Sequence, residues 1–339
     1  MTDSLHMTNE NTCVMEKPLV VIHCLAYNHE SFIRECLDGF IMQKTSFPFV
    51  AIVHDDASID KTADIIREYA DKYPEIIKPI YETENQYSKG LHRQIMESAI
   101  ARYNPKYIAF CEGDDYWIDA YKLQKQVSFL EEHPDYGFSY TNAKGFDQSK
   151  NAFYDMNLRG FSGMLYDSKL KNDIDMWTLT FLCRAELFFS RPKLDPNKVF
   201  CGDKLMFFHI CRLSKGFYLP EETSVYRKLR NSASHFTSRT KEVRFRYLCA
   251  QTVLYFLNKY PPKIEADIFR KKYSFRLIPY CLWHHDRDAF NEISISFRPF
   301  LFRTKKETVK YMAKYFIYRL LKVRIIFELC SFVCTSIKK

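Results

Sequence analysis

Short apolar runs alternate with amphipathic segments from residue 18 to about residue 146, and this alternation most limits how the chain can fold. The first run, LVVIHCLAY, is predominantly apolar on both faces, as expected of a strand inside a parallel sheet. The next segment, FIRECLDGFIMQ, repeats its apolar residues at helical spacing. The alternation continues through PFVAIVHDD, a helix starting at 60–62, IIKPIYE, MESAIARY, KYIAFCE, KLQKQVSFLEEH and FSYTNAKGF. Strands joined by such helices predict an α/β fold, a mostly parallel sheet flanked by helices.

Two of the predicted strands end in adjacent carboxylates. Asp55 and Asp56 close the run VAIVHDD, and Asp114 and Asp115 follow YIAFCEG. Because unpaired carboxylates are costly to bury, they belong at the ends of these strands. The carboxyl ends of parallel strands are also the edge at which open α/β sheets bind ligands. Two such pairs predict a site that holds a cation together with a group bearing hydroxyls or phosphates.

The sequence lacks the glycine-rich loops that bind phosphates through backbone amides. Neither GxGxxG nor GxxxxGK followed by Ser or Thr is present after the first strand. A divalent cation held by carboxylates is the alternative, because magnesium and manganese prefer oxygen ligands. Residues 112–115, EGDD, supply such oxygens, and Gly113 allows close approach of a ligand to the backbone. A polar turn between a strand and a helix explains EGDD equally well when it is taken alone.

Lys and Arg outnumber Asp and Glu by 50 to 41, a formal net charge of +9, and the excess is concentrated after about residue 225. Such an excess favours anionic partners, including nucleotides, phosphorylated lipids, a membrane surface or nucleic acid. A mildly basic cytosolic protein explains the total equally well. Since no recognised nucleic-acid-binding motif accompanies the charge, we expect no nucleic-acid partner.

The 11 cysteines are scattered singly, without a CxxC pair or metal-finger spacing. Their odd count, together with a polar N-terminus that lacks a signal segment, favours a reducing compartment. No stretch of 18 uncharged apolar residues is present, so a membrane-spanning helix is not expected. We therefore expect a cytoplasmic protein, either free or peripheral on the inner face of the cell membrane.

Four segments in order resemble motifs of the family 2 glycosyltransferases: PLVVIHCLAYNHESFIRECLDGFIMQ, FVAIVHDDASIDKTADII, KYIAFCEGDDYWIDAYKLQKQ and CGDKLMFFHICRLSKGFYLPEETSVYR. The resemblance covers residue 18 to about residue 235. It implies the glycosyltransferase type A fold with a Rossmann-like sheet. It also implies inverting transfer of a sugar from a nucleotide diphosphate, most simply a UDP-sugar, to an acceptor hydroxyl.

The resemblance assigns the nucleoside pocket to the ends of the first two strands. It implies that Tyr27 lies against the nucleobase and that Glu30 lies near the ribose. Asp56 would accept a hydrogen bond from the base, and Asp55 would support that loop. These four residues form the predicted nucleoside-binding set.

The EGDD segment resembles the family's DxD-type motif, with Glu112 where Asp is usual. By this resemblance Asp114 and Asp115 share the ribose and metal contacts, with Mn²⁺ or Mg²⁺ as the cofactor. The motif leaves open which of the two carboxylates ligates the metal directly.

Asp203, in Cys201-Gly202-Asp203-Lys204, falls where the family has its catalytic base. Inverting transfer needs one carboxylate to take the proton from the acceptor hydroxyl as that oxygen attacks the sugar carbon. The alternative for Asp203 alone is a helix N-cap before KLMFFHICRL. Both roles are compatible, because an N-cap presents its carboxylate at a fixed position.

Other candidate contacts are basic or aromatic. Arg227, in VYR, and His235 stand where the family's basic residues meet the pyrophosphate, although a short strand and a solvated basic loop fit equally well. Lys89 and Arg93 are candidates for contacts with the donor phosphate or sugar. Trp177 is a candidate for stacking on an acceptor sugar, and a buried core tryptophan is the competing interpretation.

The predicted organisation has three parts. Residues 1–16 are expected to be disordered, and 17–237 to form the glycosyltransferase domain. Within that domain, 17–146 would bind the nucleotide and 147–237 the acceptor. Residues 238–339 are expected to form a mainly helical, basic C-terminal region.

The C-terminal region ends in an amphipathic stripe from residue 309 to residue 337. It fits a helix docked on its own domain, or a basic helix on an anionic membrane surface or a partner. The resulting hypothesis is a metal-dependent transferase acting on a surface polysaccharide or lipid-linked saccharide. The alternative is a catalytically weak saccharide- or nucleotide-binding protein of the same fold. A nucleotidyltransferase ranks lower, because no arginine-rich triphosphate loop follows the first strand.

Overall fold

The computed structural model describes residues 17–156, 160–166, 176–192 and 200–230, together with 245, 248–249, 251–253, 255–257 and 259–260. The predictions for residues 1–16, for His235 and for the stripe at 309–337 lie outside the described residues. Most of the predicted C-terminal region lies outside them as well.

The first half of the sheet is parallel, as the alternation predicts. Its strands have the spatial order β3-β2-β1-β4, with the bounds β1 Val20–Ala26, β2 Phe49–Asp55, β3 Ile77–Tyr81 and β4 Tyr107–Phe110. The intervening helices are α1 Ile33–Ile41, α2 Thr62–Lys72 and α3 His92–Tyr103, and α4 Lys122–Glu132 follows β4. Helix α3 begins at His92, earlier than the segment MESAIARY suggests.

The second half makes the sheet mixed. Beyond β4 the order continues β8-β6-β9-β5, and β7 pairs with residues 144–147 at the C-terminal end of β6. The elements are β5 Tyr116–Trp117, β6 Tyr136–Asp147, β7 Ala152–Asp155, a 3₁₀ turn Thr178–Thr180, β8 Phe181–Arg184, α5 Ala185–Phe189, α6 Gly202–Leu213 and β9 Lys215–Lys228. Strand β8 runs antiparallel to both β4 and β6, because it is entered from the 3₁₀ turn rather than from a crossover helix.

Two apolar layers cover the faces of the sheet. Alternate residues of β1 point to opposite layers, as strand geometry requires. Val20 and Ile22 pack with α1 and α2, whereas Val21 packs with α3, α5 and α6. This two-sided burial is the glycosyltransferase type A arrangement that the resemblance implies, and the predicted fold class is confirmed.

The cysteines divide into two groups. Cys24, Cys36 and Cys111 are buried and free, as small hydrophobes are. Cys201 and Cys249 are instead joined in a disulfide across 48 residues, a pairing that the scattered cysteine pattern did not predict. The bond links the residue before α6 to the helical residues near 249.

None of the helices in the described part of the chain combines the length and the apolar character that a bilayer crossing requires.

Candidate functional site

The loops after β1 and β2 are joined by side-chain hydrogen bonds at the carboxyl edge of the sheet. Asn28, which adopts a left-handed φ of 56°, donates its backbone N–H to Ser58 Oγ at 2.8 Å and accepts from Ile59 N–H at 2.9 Å. Glu30 accepts from Lys61 N–H at 3.1 Å. These bonds fix the two loops, which carry the predicted nucleoside residues, against each other.

The predicted nucleoside residues differ in how their polar groups are used. Tyr27 is 45% exposed and leaves its ring open to a ligand. Both oxygens of Asp56 accept backbone N–H groups, from Gln86 at 2.6 Å and Tyr87 at 3.0 Å. Asp55 is 2% exposed, and its Oδ1 has no hydrogen-bond partner. Asp56 therefore anchors the loop after β3, while Asp55 retains an unpaired acceptor.

The EGDD turn is tightly packed. Gly113 donates its N–H to Leu25 O at 2.8 Å, and a Cβ at this position would lie 2.9 Å from His29 Nδ1 and 3.1 Å from Ala26 Cβ. No side chain larger than that of glycine fits there without displacing these atoms. On the other side, Glu112 accepts from Thr178 Oγ1 at 2.6 Å, which ties the turn to the 3₁₀ turn before β8.

The two aspartates of the turn have different environments. Asp115 is 4% exposed and accepts the backbone N–H of Arg227 at 2.7 Å. The carboxylate of Asp114 is half-buried and has no hydrogen-bond or ion-pair partner among the described residues. Asp114 is therefore the carboxylate of the turn that is free to meet a ligand.

Carboxylate crowding perturbs the ionisation of the turn. Burial, followed by the charges of Asp114 and Glu112, raises the pKa of Asp115 well above its usual range. Burial also raises the pKa of Glu112 to about 7, while the hydrogen bond from Thr178 acts in the opposite direction. Such crowding favours a divalent cation, because a cation stabilises neighbouring negative charges.

Arg227 is buried beneath the turn. Its Nε donates to Asp114 O at 2.8 Å, one terminal nitrogen donates to Gln148 Oε1 at 3.1 Å, and the other bonds to Glu35. Its guanidinium also lies 4.9 Å from the centroid of the Phe32 ring. The sequence predicts a contact between Arg227 and the donor. In the structure all three nitrogens bind protein acceptors.

Asp203 is the second residue of α6. The helix starts at Gly202 with Cys201 as its N-cap residue, so Asp203 is not the cap, and no side-chain cap bond is present there. Its carboxylate is exposed and makes no hydrogen bond with the described residues. After burial, the charge of Asp203 is the next factor that raises the pKa of Tyr87, and it contributes to the raised pKa of Glu112. The charge of Asp203 therefore acts on Tyr87 and on Glu112 of the EGDD turn.

Lys89 and Arg93, the other predicted basic contacts among the described residues, lie in different parts of the structure. Lys89 is exposed and forms an ion pair with Glu84, in the loop after β3. The guanidinium of Arg93 instead occupies the space that a Cβ of Gly202 would need, so it lies against the start of α6. The structure thus brings Arg93 beside Asp203 rather than beside the nucleoside loops.

Trp177 lies directly before the 3₁₀ turn that precedes β8. Its ring centroid is 4.4 Å from that of Tyr226, and it is partly buried next to Thr178. Sequence reasoning missed His29, Thr178 and Tyr87 as site residues. A signal exists only for His29, which stands directly after the first strand, because the other two positions depend on contacts between distant segments.

The described residues contain no cluster of three or more His, Cys, Asp or Glu side chains arranged to hold a metal ion. A cation at the EGDD turn would therefore use one or two carboxylates together with oxygens from outside the protein. This is the common pattern for magnesium and manganese bound with substrate phosphates.

A Rossmann-like sheet with an acidic turn at its carboxyl edge and a mixed second half defines the glycosyltransferase type A fold. The sequence profile of "Glycosyl transferase family 2" matches residues 21–195, and the chain belongs to this family. The match ends before Asp203, so it does not bear on the predicted role of Asp203 as the base.

Three relatives are similar over part of the chain. An uncharacterized protein of Mycobacterium tuberculosis, Rv1520, is 46% identical over 33% of this chain and 31% of its own length. The putative teichuronic acid biosynthesis glycosyltransferase TuaG of Bacillus subtilis is 32% identical over 47% of this chain and 59% of its own. The Escherichia coli UDP-Glc:alpha-D-GlcNAc-diphosphoundecaprenol beta-1,3-glucosyltransferase WfaP is 34% identical over 37% and 45%. The chain thus spans between about a third and three fifths of the length of these relatives.

The mannosyltransferase PcManGT of Pyrobaculum calidifontis, solved with GDP-Man and Mn²⁺, superposes with a TM-score of 0.52 at 15% identity. The match covers 93% of this chain and 83% of that one. At this identity the likeness concerns the fold.

Proposed function

We propose that this protein is an inverting glycosyltransferase that uses a UDP-sugar and a hydroxyl of a surface polysaccharide or lipid-linked saccharide. The observation that carries the proposal is the exposed Asp203 carboxylate in the first turn of α6, which has no partner among the described residues. Membership of the family supports glycosyl transfer, and the names of TuaG and WfaP support a cell-surface glycan acceptor.

The donor nucleoside would bind at the joined loops after β1 and β2. Tyr27 offers an open ring for stacking, and Asp55, which accepts the Ser58 N–H, would support the loop after β2. Asp56 would hold the loop after β3 in place, and Glu30 would lie near the ribose of the donor. Lys89 lies on that same loop, within reach of the donor. A UDP donor agrees with the name of WfaP.

The EGDD turn fits a divalent cation, Mn²⁺ or Mg²⁺. Asp114 would be the direct ligand, because its carboxylate has no partner among the described residues. Asp115 would support it, because Asp115 is buried and bound to the backbone of Arg227. The bound cation would stabilise the negative charge of the leaving diphosphate. The Mn²⁺ in the PcManGT structure supports this use of metal.

Asp203 would act as the base. It would take the proton of the acceptor hydroxyl while that oxygen attacks the anomeric carbon, and the nucleotide diphosphate would leave from the opposite face. Because the carboxylate is exposed and has no bond to the described residues, it is available for this proton. Trp177 would lie on the acceptor side. Arg93 lies against Gly202, the residue before Asp203, so we propose that it contacts the acceptor rather than the donor.

The proposed organisation keeps 17–146 as the nucleotide half and 147–237 as the acceptor half of one domain. A basic region at 238–339 would then stand beside the acceptor half, where it would suit a substrate presented at a membrane surface.

A thermal-shift screen of nucleotide sugars with Mn²⁺ or with EDTA tests the proposal. Binding to the native state stabilises by mass action, by about 2.7 kcal/mol at a ligand concentration 100 times Kd. The true donor should therefore raise Tm by about 5 °C, and EDTA should abolish most of this shift. Transfer of its sugar to water, detected as free nucleotide diphosphate, would then show catalysis. Absence of a response to every nucleotide diphosphate sugar, with and without metal, would refute the proposal.

A further inference from the structure

A small cleft lies at the first turn of α6, which carries Asp203. Arg93, Arg191, His209 and Gly202 line it together with apolar residues that include Leu205 and Phe256. None of the lining residues belongs to the EGDD turn or to the loops after β1 and β2. The cleft is therefore separate from the proposed donor site, although it adjoins the same base.

Arg93 contributes a cation without a counter-ion. Among the described residues its guanidinium has no ion pair and no hydrogen-bond partner. It lies directly against Gly202, where the first turn of α6 presents unpaired backbone N–H groups. A half-buried cation of this kind, next to a helix N-terminus, favours an anion between them.

Arg191 forms the second cationic group. It bonds to Glu97 at 2.6 Å, and its guanidinium lies 3.6 Å from the centroid of the Phe188 ring. Burial lowers the pKa of Arg191 to about 10, and Glu97 opposes this effect while Arg93 adds to it. The two guanidinium groups therefore repel each other across the cleft, with Glu97 as the carboxylate that pairs with one of them.

His209 lines the cleft with a buried ring whose Nδ1 has no hydrogen-bond partner. It is 3% exposed, its Nε2 lies 3.0 Å from Ser190 Oγ, and its buried Nδ1 has no hydrogen-bond partner. Burial, followed by the charges of Arg212 and Arg191, lowers the pKa of His209 to about 4. The ring is thus neutral. Because Ser190 Oγ donates its one proton to Leu187 O at 3.0 Å, Nε2–H donates to Ser190 Oγ and the bare Nδ1 is left as an acceptor.

We propose that this cleft binds a phosphate group carried by the acceptor and so places the acceptor hydroxyl at Asp203. The proposal rests on the proposed function. Arg93 and Arg191 supply the charge, and the N–H groups of the first turn of α6 supply further donors. Phosphate in this position has two sources, a lipid diphosphate that carries a saccharide or a polyol phosphate chain.

Binding of small phosphorylated probes tests the proposal. The full chain, saturated with UDP and Mn²⁺, is titrated with N-acetylglucosamine, N-acetylglucosamine 1-phosphate, a short-alkyl diphosphate of the same sugar and glycerol phosphate. The sugar phosphate should bind at least tenfold more tightly than the neutral sugar, and Arg93→Gln should remove this advantage. The alkyl diphosphate and the glycerol phosphate distinguish the lipid source from the polyol source.

Arg67→Gln is the matched control, because Arg67 is an exposed arginine on α2 paired with Asp64. It should leave both the preference for phosphate and the affinity for UDP unchanged. Equal affinity for the neutral and the phosphorylated sugar, or a preference that survives in Arg93→Gln, would overturn the proposal. UDP affinity is measured first, and the titration is repeated without UDP. A failure of the donor site is thereby distinguished from a failure of the cleft.

Discussion

Replacement of Asp203 by Asn tests its assignment as the base, because the change exchanges one carboxylate oxygen for an amide nitrogen. The side chain keeps its size and loses its ability to accept a proton, so a base-catalysed step should slow by about 10²- to 10⁴-fold. The cost in stability should be small, because Asp203 is exposed and makes no hydrogen bond with the described residues. Its remaining contribution is that of a carboxylate in the first turn of α6, about 0.3–1 kcal/mol.

The assay measures three quantities on the same preparation: transfer rate, affinity for UDP with Mn²⁺, and the midpoint of thermal unfolding. Asp64→Asn is the matched control, because Asp64 is an exposed carboxylate in the first turn of α2. Both variants should lose a similar, small amount of stability and keep their affinity for UDP. Transfer should fall in Asp203→Asn alone.

Two results would refute this reasoning. Transfer by Asp203→Asn above one tenth of the wild-type rate would show that another group takes the proton. A parallel loss of transfer and of UDP affinity would show that Asp203 serves donor binding instead. In the second case the separation between donor site and base, on which the proposed function depends, would be wrong.

Three further predictions concern buried charges. Asp114→Asn should lose most of the Mn²⁺-dependent increase in UDP affinity, whereas Asp115→Asn should retain part of it, because Asn still accepts the Arg227 N–H; titrations with and without Mn²⁺ compare them. Arg227→Lys should destabilise the fold by about 3 kcal/mol in denaturant unfolding, since one ammonium cannot replace three bonded nitrogens, and an unchanged midpoint would contradict this. Burial lowers the pKa of Lys122 from 10.5 to about 7, so the native state binds fewer protons than the unfolded state and stability rises with pH between these values. Relative to Lys122→Met, the wild type should therefore gain about 4 kcal/mol from pH 7 to pH 10.5, and a flat difference would refute the shift.

Local patterns predicted the first half of the fold well. Strands β1 and β2 are buried on both faces, and α1 repeats its apolar residues at helical spacing, so each element shows its own period in the sequence. The acidic ends of the strands were also visible, because charge after an apolar run marks the edge of a sheet. The carboxylates at 55–56 and 114–115 are therefore visible in the sequence alone.

The second half was less predictable, because its elements are defined by pairing between distant segments. Strand β5 has two residues and exists through its pairing with β9. The segment VYR indicated a short strand, whereas it ends the 14-residue β9, which follows β6 through several shifts of register. No local period encodes such a partner, since edge and register depend on the neighbouring strand.

The EGDD turn shows why the contacts of candidate site residues escape sequence reasoning. Glu112 looked like an imperfect substitute for Asp, yet its extra methylene lets it reach Thr178, 66 residues away. Asp115 is held by the backbone of Arg227, 112 residues away, and Arg227 in turn binds Glu35. The carboxylates that would hold the cation thus come from the nucleotide half, and the groups that hold those carboxylates come largely from the acceptor half. The predicted boundary near residue 146 therefore does not separate two parts that are held independently of each other. A donor site at the EGDD turn would need contacts from both sides of that boundary.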